Sequence, residues 1–483
     1  MKFDAVIADL SQFSSGHALI DAYYEGTARI PRLGINLPPM FKRIDTVVGW
    51  PATAIDVLHE RTDWLGWDVD AKYKDLLDAA YDENQLNSES DMGHLDSLLY
   101  GMAYVAVTPG DERSGEPKYL VNTLSAKECY GYYNRRTRRL DVAAMKGRNA
   151  DGSYAGVLYE KDRTVFYERR DASARWRQVD ERKHNLGRVP VVALPNRRRA
   201  GRREGKSELT RAVRSYTNMA VRTLLGMEVN REFFSSPQRY ALGAKEDAFT
   251  DENGNPIPGW QAILGSLWNI ERDEELMERQ PGSDGLPKVG EFTPNPPGPY
   301  INQIEGLAKM FSAEVGIPGT YLGFTTENPP SGDAIRALES RLIKRAERRI
   351  IGWDPAHREV AQIICALENN GEFPKMGEMY TVWRDPGTPT QAADADRAVK
   401  LVGGQILPAT SRVTLEMAGF TPTQIKRIER DRNKEAMLKI LMQPEAGDPN
   451  AGGTQPDPGT ATDPGATGSA NDQRNPAGVG SQP

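Results

Sequence analysis

The pattern that most constrains this chain is a helix, a break and a much longer helix set end to end. Tyr300, Ile304, Leu307, Ala308, Phe311 and Val315 fall at i, i+4, i+7, i+8, i+11 and i+15. They line one face of a helix over Tyr300 to Val315 and leave a polar face opposite. Gly316 and Pro318 stop that helix. From Gly316 to Gly332 there is no periodicity, only a run rich in Gly, Pro, Thr and Asn. Loops of that length without structure of their own are uncommon and are usually functional or disordered. A long helix follows from about Asp333 to Glu368, with Ile335, Leu338, Leu342 and Ala346 on one side. A helix packed against neighbours on one face and lining an aqueous space on the other fits the stripe, and so does an ordinary core helix. The loop suits a mobile constriction: its glycines supply freedom that Pro318, Pro329 and Pro330 limit.

Around this unit the element types change along the chain. Ahead of Tyr104 the chain reads mainly as helices, with Ile7, Leu10, Phe13, His17 and Ile20 at helical spacing. From Tyr104 to Val192 strand patterns take over, with a hairpin expected at Asn149-Ala150-Asp151-Gly152. Val189 to Pro195 reads as a strand entering an arginine-rich loop. A helix is expected to start near Ser207, with Ser207 and Thr210 as candidate caps and Glu208 in its first turn. Ser235-Ser236-Pro237 breaks it. Gln238 to Pro299 reads as short strands and turns and includes the acidic run Glu271, Asp273, Glu274 and Glu275. One more strand surrounds Trp383, and Gln391 to Met442 is helical. Pro444 to Pro483 has almost nothing apolar beyond alanine, so burial cannot recover its ordering entropy and disorder is expected. No internal repeat is visible.

The 483 residues allow two or three domains with a substantial core. No run approaches the ~18 apolar residues of a membrane span. Asp4 and Asp9 interrupt the apolar N-terminus in a way a signal peptide does not tolerate, so assembly in the cytoplasm is expected. Two cysteines, Cys129 and Cys365, exclude a disulfide framework and a cysteine-based zinc site, and read as buried thiols. His17, His59, His94, His184 and His357 are scattered with no pair at ligand spacing. No Gly-x-Ser-x-Gly elbow occurs. The segment Gly201-Arg202-Arg203-Glu204-Gly205-Lys206-Ser207 lies between a strand and a helix, where a phosphate loop belongs. It is one residue short between its glycines, too short to wrap a phosphate in successive N–H groups, and reads instead as a helix start. No catalytic, metal or cofactor-binding residue is assigned, and the chain is expected not to be an enzyme.

The net charge of −6 is unevenly spread. One basic knot holds Arg135, Arg136, Arg138 and Arg139, and another Arg197, Arg198, Arg199, Arg202 and Arg203. A third, on the long helix, holds Arg341, Lys344, Arg345, Arg348 and Arg349. Solvated faces or pairing with acidic neighbours compete with nucleic-acid or intersubunit contact for each knot.

Three segments together resemble the portal protein family of long-tailed (siphovirus-type) double-stranded DNA phages. The first runs from Gly187-Arg188-Val189-Pro190-Val191-Val192 through Asn196-Arg197 to Gly205-Lys206-Ser207-Glu208-Leu209. The second is Glu228, Glu232-Phe233-Phe234 and Pro237-Gln238-Arg239-Tyr240. The third is Gly316-Ile317-Pro318, Tyr321-Leu322-Gly323, Asn328-Pro329-Pro330-Ser331-Gly332, Ala334-Ile335, Glu339 and Arg341-Leu342. Their order and spacing match over roughly Tyr23 to Leu441.

The resemblance implies an α+β portal fold with a helical stem and crown, a mixed α/β wing, a small strand-rich clip and a disordered C-terminal tail. Residues 1–206 would be the wing, with a return strand in 370–388. Residues 207–234 and 299–315 would be the stem helices, 235–298 the clip, and 316–332 the tunnel loop. Residues 333–369 would run from channel to body, 389–443 would form the crown and 444–483 the tail. Tyr321, Phe324, Thr325, Thr326, Glu327, Asn328 and Ser331 would line the tunnel loop. Tyr300, Ile304, Leu307, Phe311 and Val315 would pack the stem, and Arg341, Lys344, Arg345, Arg348 and Arg349 would meet DNA or a neighbouring subunit.

A ring of twelve copies at one capsid vertex is implied, with terminase large subunit, head-completion adaptor, major capsid and scaffold proteins and double-stranded DNA as partners, and no membrane. Such a subunit resides in the virion. DNA must slide through it, and a net acidic ring avoids the grip that each added cation would tighten. The competing expectations are a DNA-packaging motor or nuclease component, and another virion connector ring; the length of the chain argues against the latter.

Overall fold

The computed structural model describes residues 3–29, 45–234, 239–242, 250, 255–256, 288–293, 295–323, 332–387 and 391–441. In chain order they carry helices α1 (Phe3–Ser14), α2 (His17–Tyr24) and α3 (Trp50–His59), then strand β1 (Trp64–Val69) and helices α4 (Ala71–Glu83) and α5 (Leu86–Tyr100). Eight strands follow: β2 (Met102–Pro109), β3 (Tyr119–Ser125), β4 (Cys129–Tyr133), β5 (Leu140–Arg148), β6 (Tyr154–Tyr159), β7 (Arg163–Arg169), β8 (Arg177–Lys183) and β9 (Val191–Pro195). Helix α6 (Arg211–Phe234), strands β10 (Arg239–Leu242) and β11 (Lys288–Glu291), and helices α7 (Gly298–Val315) and α8 (Gly332–Glu368) come next. Strand β12 (Met379–Trp383) and helices α9 (Gln391–Gly403), α10 (Arg412–Met417) and α11 (Pro422–Leu441) complete the order. Helices and antiparallel sheets occupy largely separate stretches, so the class is α+β.

Strand β2 is the hinge between two cores. It is central in the antiparallel sheet β3-β2-β9, so its backbone is paired on both sides and both its faces are covered. Successive side chains of a strand point to opposite faces. Ala103, Val105 and Val107 therefore enter one core with Leu98, Val192 and Leu194. Met102, Tyr104 and Ala106 enter a second with Leu124, Cys129 and Leu140. A five-stranded antiparallel meander, β4 to β8, carries a third, covered by α1. Phe3, Val6, Ile7 and Leu10, one helical face, lie against Val142, Ala144, Leu158 and Val165. Phe3 stacks on Tyr167 with centroids 4.3 Å apart, and a Cβ on Gly156 would come within 2.4 Å of its ring, so only glycine fits there. The turn between β5 and β6 falls at Asn149 to Gly152, closed by Gly152 N–H donating to Asn149 O at 3.0 Å with Gly152 at φ 88°.

Several sequence expectations are revised. The apolar stripe from Ile7 to Ile20 spans two helices, divided after Ser14. A strand, β1, lies in the stretch read as helical; it pairs antiparallel with β12, aligning Trp64 with Trp383. Helix α6 begins at Arg211 rather than near Ser207. Thr210 caps it, its Oγ1 accepting from Val213 N–H at 3.4 Å, whereas Ser207 Oγ accepts from Leu209 N–H in the preceding turn. Of the stripe expected on α8, Leu342 and Ala346 are fully buried but Leu338 is 55% exposed. The side chain of Ile335, the acidic run from Glu271 to Glu275 and the tail from Pro444 lie outside the described residues.

Helix α8 is the longest element, 37 residues, with Pro355 in its interior. Its buried Trp353, Val360, Ile363 and Ile364 belong to the core shared with β2 and α5. Helices α6 and α7 pack antiparallel: Asn230 Nδ2 donates to Asn295 O at 2.9 Å, and the Tyr300 ring lies 3.3 Å from where a Gly226 Cβ would stand. Asp394 onward forms a separate compact unit, in which Ser411 caps α10 by accepting from Thr414 N–H at 3.1 Å and Ile425 is buried.

The fold brings together two histidines that lie 263 residues apart. His94 on α5 and His357 on α8 meet Nε2 to Nε2 at 2.8 Å, both buried. Trp353 stacks on His94 at 4.4 Å, Trp64 stacks on His357 at 4.2 Å, and Trp383 lies against both. Burial, then the neighbouring His357 and His59, holds His94 far below the ordinary imidazole range, and burial pushes His357 down to about 3. An imidazole neutral in the fold but ordinary when unfolded stabilises fully above pH 6.5. That contribution is lost as pH falls toward the folded value. Stability measured by urea unfolding should therefore drop by on the order of 2 kcal/mol between about pH 7.5 and about pH 5 for one such group. The drop should shrink in His357→Gln; a midpoint indifferent to pH in the native chain contradicts the arrangement.

Candidate functional site

The site is built where the chain leaves α7 and enters α8. Helix α7 ends on Gly316, which adopts φ 70° and donates its N–H to Ser312 O at 2.8 Å. A Cβ there would stand 2.9 Å from Arg341 Nε, so the cap needs glycine both for its φ and for space. Arg341 in turn donates through Nη1 to Ala313 O at 2.6 Å, tying the start of α8 to the end of α7. A short 3-10 turn, Gly319–Leu322, follows and ends on Gly323 at φ 85°.

Both flanks of the segment between Gly323 and Gly332 are held by one side chain from elsewhere. Arg61, after α3, donates through Nη2 to Tyr321 Oη at 3.1 Å and to Glu339 Oε1 at 3.0 Å. Tyr321 Oη donates to the same Glu339 oxygen at 2.6 Å. Nη1 of Arg61 reaches Pro386 O at 3.0 Å, beyond β12. Burial raises the Tyr321 phenol, and its hydrogen bond to Glu339 raises it further, so it stays a donor. Charge-assisted bonds of this kind are roughly twice as strong as neutral ones, and the guanidinium fork fixes direction as well as distance. The clamp therefore sets where the intervening segment leaves and rejoins the body.

Two turns further along α8, a second cluster fixes the helix itself. Glu208 is 4% exposed. Its carboxylate meets Arg345 Nη2 at 2.7 Å, Arg349 Nη2 at 2.7 Å and, more loosely, Arg197 Nη1 at 3.5 Å, and Asn196 Nδ2 donates to it at 3.1 Å. Burial pushes the Glu208 carboxyl up, but Arg349, Arg345 and Arg197, helped by Asn196, outweigh it and hold it below the usual carboxylate range. Burial likewise draws Arg345 down, against the pull of Glu208.

At the end of the segment Gly201 to Ser207 the backbone is closely packed. A Cβ on Gly205 would fall 1.6 Å from Gly101 O, so two glycines bring their backbones into direct contact. Lys206 N–H is taken by Asn196 O at 2.8 Å, Glu208 N–H by Leu98 O at 2.9 Å and Leu209 N–H by Ser207 Oγ at 3.0 Å. Lys206 and Glu208 thus spend their N–H groups on holding this turn to the end of β9 and to α5, not on a phosphate.

Of the tunnel-loop candidates, Tyr321 sits in the clamp, while Phe324, Thr325, Thr326, Glu327, Asn328 and Ser331 lie outside the described residues. Of the stem candidates, Leu307, Phe311 and Val315 are buried and Tyr300 and Ile304 half-buried. The five candidate cations on α8 are divided. Arg345 and Arg349 serve Glu208, Arg341 serves α7, Lys344 pairs with Glu347 at 2.5 Å, and Arg348 is exposed. Sequence reasoning missed Arg61, whose partners are 260 and 278 residues away with no local pattern to mark them. It placed Glu208 in a helical turn, and its one clue to burial was the run of arginines facing it on α8. The two cysteines are buried and unbridged, as expected, and burial raises both thiols, Cys365 to about 12.

These side chains hold backbone to backbone, and the arrangement defines an anchoring site in a structural subunit. The family described as "Phage portal protein, SPP1 Gp6-like" matches residues 21–437. The portal protein of Mycobacterium phage D29 is 31% identical over 432 residues, covering 87% of this chain and 85% of its own length. The portal protein of Mycobacterium phage L5 is 29% identical over 451 residues, covering 90% and 89%. A solved chain from the virion of a native gene transfer agent particle is similar with a TM-score of 0.45 at 12% identity, covering 84% of this chain and 94% of that one. The chain belongs to the phage portal protein family. Its function is that of a ring-forming portal subunit of the virion, at the capsid portal vertex, and the family is structural rather than enzymatic.

Removing one member of a buried ion cluster leaves the others uncompensated, at a typical cost of about 3–5 kcal/mol. Glu208→Ala should lower the unfolding free energy by that order in urea titrations. Arg197→Ala, which removes the longest and most exposed contact, should cost under about 1 kcal/mol. Equal losses in the two variants would contradict the assigned hierarchy.

Proposed function

We propose that twelve copies of this chain close into a ring whose channel is lined in part by residues 316–332 and conducts double-stranded DNA during packaging and ejection. Helices α6 and α7 form its stem. The stretch between them, residues 235–298, is the clip on which the terminase large subunit docks and which the head-completion adaptor later occupies. Residues 389–443 form the crown, and the N-terminal section with β12 the wing. Major capsid and scaffold proteins surround the ring, which assembles in the host cytoplasm. Of the cations on α8, Arg348, exposed and with neither an acidic partner among the described residues nor the backbone tie that holds Arg341, is the candidate for contact with DNA or a neighbouring subunit.

The observation that carries this reading is the α6–α7 hairpin. Leu307, Ala308, Phe311 and Val315 are already buried within the chain, yet Met219 is 41%, Ile301 48% and Met310 47% exposed on the same two helices. Apolar side chains on more than one face of a helix pair call for a further covering surface, and a second copy of the hairpin supplies one. The clamp of Arg61, Tyr321 and Glu339 supports the channel role of the segment it brackets. A constriction that moves against passing DNA needs fixed ends, and these three side chains fix both.

Negative-stain images of the purified chain should show closed rings with a central hole; monomers or open filaments would overturn the proposal. Deleting Phe324 to Pro330 should leave those rings intact while packaging or retention of DNA falls at least tenfold. Loss of the rings in that deletion would instead make the segment part of the assembly contact.

A further inference from the structure

Two arginine-rich turns remain outside every role described so far, and they are built alike. In the first, Arg199 N–H donates to Arg202 O at 2.9 Å and Arg202 N–H to Arg199 O at 3.0 Å, closing a tight turn over Ala200 and Gly201. In the second, Asn134 Oδ1 accepts from the N–H groups of Arg136 at 2.8 Å and Thr137 at 3.1 Å, and Asn134 Nδ2 donates to Asp141 at 2.7 Å. Each turn commits one arginine inward: Arg197 to Glu208 at 3.5 Å, and Arg139 to Glu359 at 2.7 Å. Each also holds a non-glycine residue in the left-handed region, Arg197 at φ 51° and Arg138 at φ 60°. The remaining side chains, Arg198, Arg199 and Arg202 in one turn and Arg135, Arg136 and Arg138 in the other, are exposed. None has an acidic partner among the described residues.

Both turns are mounted on the same side of α8. Their attachment points, Arg345 and Arg349 through Glu208 and then Glu359 directly, fall within about 80° of one another at 100° per residue and are separated by about 15–20 Å at 1.5 Å per residue. Arg348, exposed and without an acidic partner among the described residues, is level with the first attachment point and lies about 20° from the direction of Glu359 at 100° per residue. The opposing charges nearby are mostly engaged. Glu204 is exposed beside the first turn, but Asp141 takes Asn134 Nδ2 and Lys161, Glu347 is occupied by Lys344, and Glu359 by Arg139.

We propose that the two turns and Arg348 form one strip that binds the phosphodiester backbone of duplex DNA, distinct from the segment 316–332. The partner follows from the chemistry. The free cations are all arginines, whose planar forks match phosphate oxygens bidentately, and the turns that carry them are closed by hydrogen bonds before any ligand arrives. A single cluster of carboxylates cannot reach two turns this far apart, whereas a duplex presents a phosphate on each strand every 3.4 Å along its length. The net charge of −6 keeps the grip weak and salt-sensitive, suited to DNA held near the subunit but not trapped on it. The proposal rests on the portal reading only for the source of the duplex.

The test uses the full chain and a fluorescein-labelled duplex of about 30 base pairs, followed by anisotropy across a salt series. Arg198→Ala/Arg199→Ala/Arg202→Ala and Arg135→Ala/Arg136→Ala/Arg138→Ala should each weaken binding at least tenfold at low salt. Each should also reduce the slope of log K against log salt by about 2–3, near 0.9 per lost phosphate contact. Should a triple variant misfold, the single exposed changes Arg199→Ala and Arg136→Ala should each reduce the slope by about 1. Unchanged affinity and slope overturn the proposal, as does displacement of the duplex by polyglutamate at equal charge, which would mark a site for acidic protein. Images of the same samples separate the two readings: rings without a slope change sink the strip alone, and a slope change without rings sinks the ring alone.

Discussion

The carboxylate of Glu208 is buried, and a buried charge is tolerated only when it is matched. Arg345 and Arg349 match it from one face of α8, so the longest helix among the described residues is fixed in register against the turn that leads into α6. That turn is itself confined by the backbone contact of Gly101 with Gly205 and by Asn196, which bonds Lys206 O and Glu208 together. The sheet, the start of α6 and the middle of α8 therefore meet at one point. Everything N-terminal to that point on α8, including Glu339 and Arg341, takes its position from it. The clamp that brackets residues 324–331 inherits its geometry from a carboxylate two turns away.

The distribution of charge follows the same division of labour. Arginines that face the interior are spent on Glu208, Glu339 and Glu359, where a planar fork can satisfy a carboxylate in a restricted space. Arginines on the two turns keep their charge for the surroundings. A subunit that contains its strongest ion pairs and remains net acidic can pass a polyanion without capturing it. Local cations then matter through their placement, since their total is outnumbered by acids.

The same contrast holds for the apolar surface. The three cores around β2 and the meander are closed within the chain, and Phe3 on Gly156 shows how closely they pack. Helices α6 and α7 are closed on one side only, with Met219, Ile301 and Met310 left outward. In the proposed ring, closed cores would form the body of each subunit and the outward apolar side chains of the helix pair would be covered by a neighbouring copy.

Much of this was legible along the chain. Periodicity placed α7 and α8 to within two residues, strand patterning covered β2, and turn chemistry located the hairpin at Asn149 to Gly152, because each signal is carried by residues close in sequence. The ordered motifs from Gly187 to Leu342 were enough to indicate the portal family, and the missing residue between Gly201 and Gly205 was enough to argue against a phosphate loop. Contacts between distant segments were beyond that reach. Strand β1 is revealed by its pairing with β12, Arg61 by Tyr321 and Glu339, and His94 by His357. Glu208 looked like a residue of a first helical turn until burial gave it two arginines. Local patterns set which elements form, since backbone and side-chain preferences act over a few residues. Which charges are neutralised, and which remain for a partner, depends on burial and on distances across the chain, and those exist only once the elements have packed.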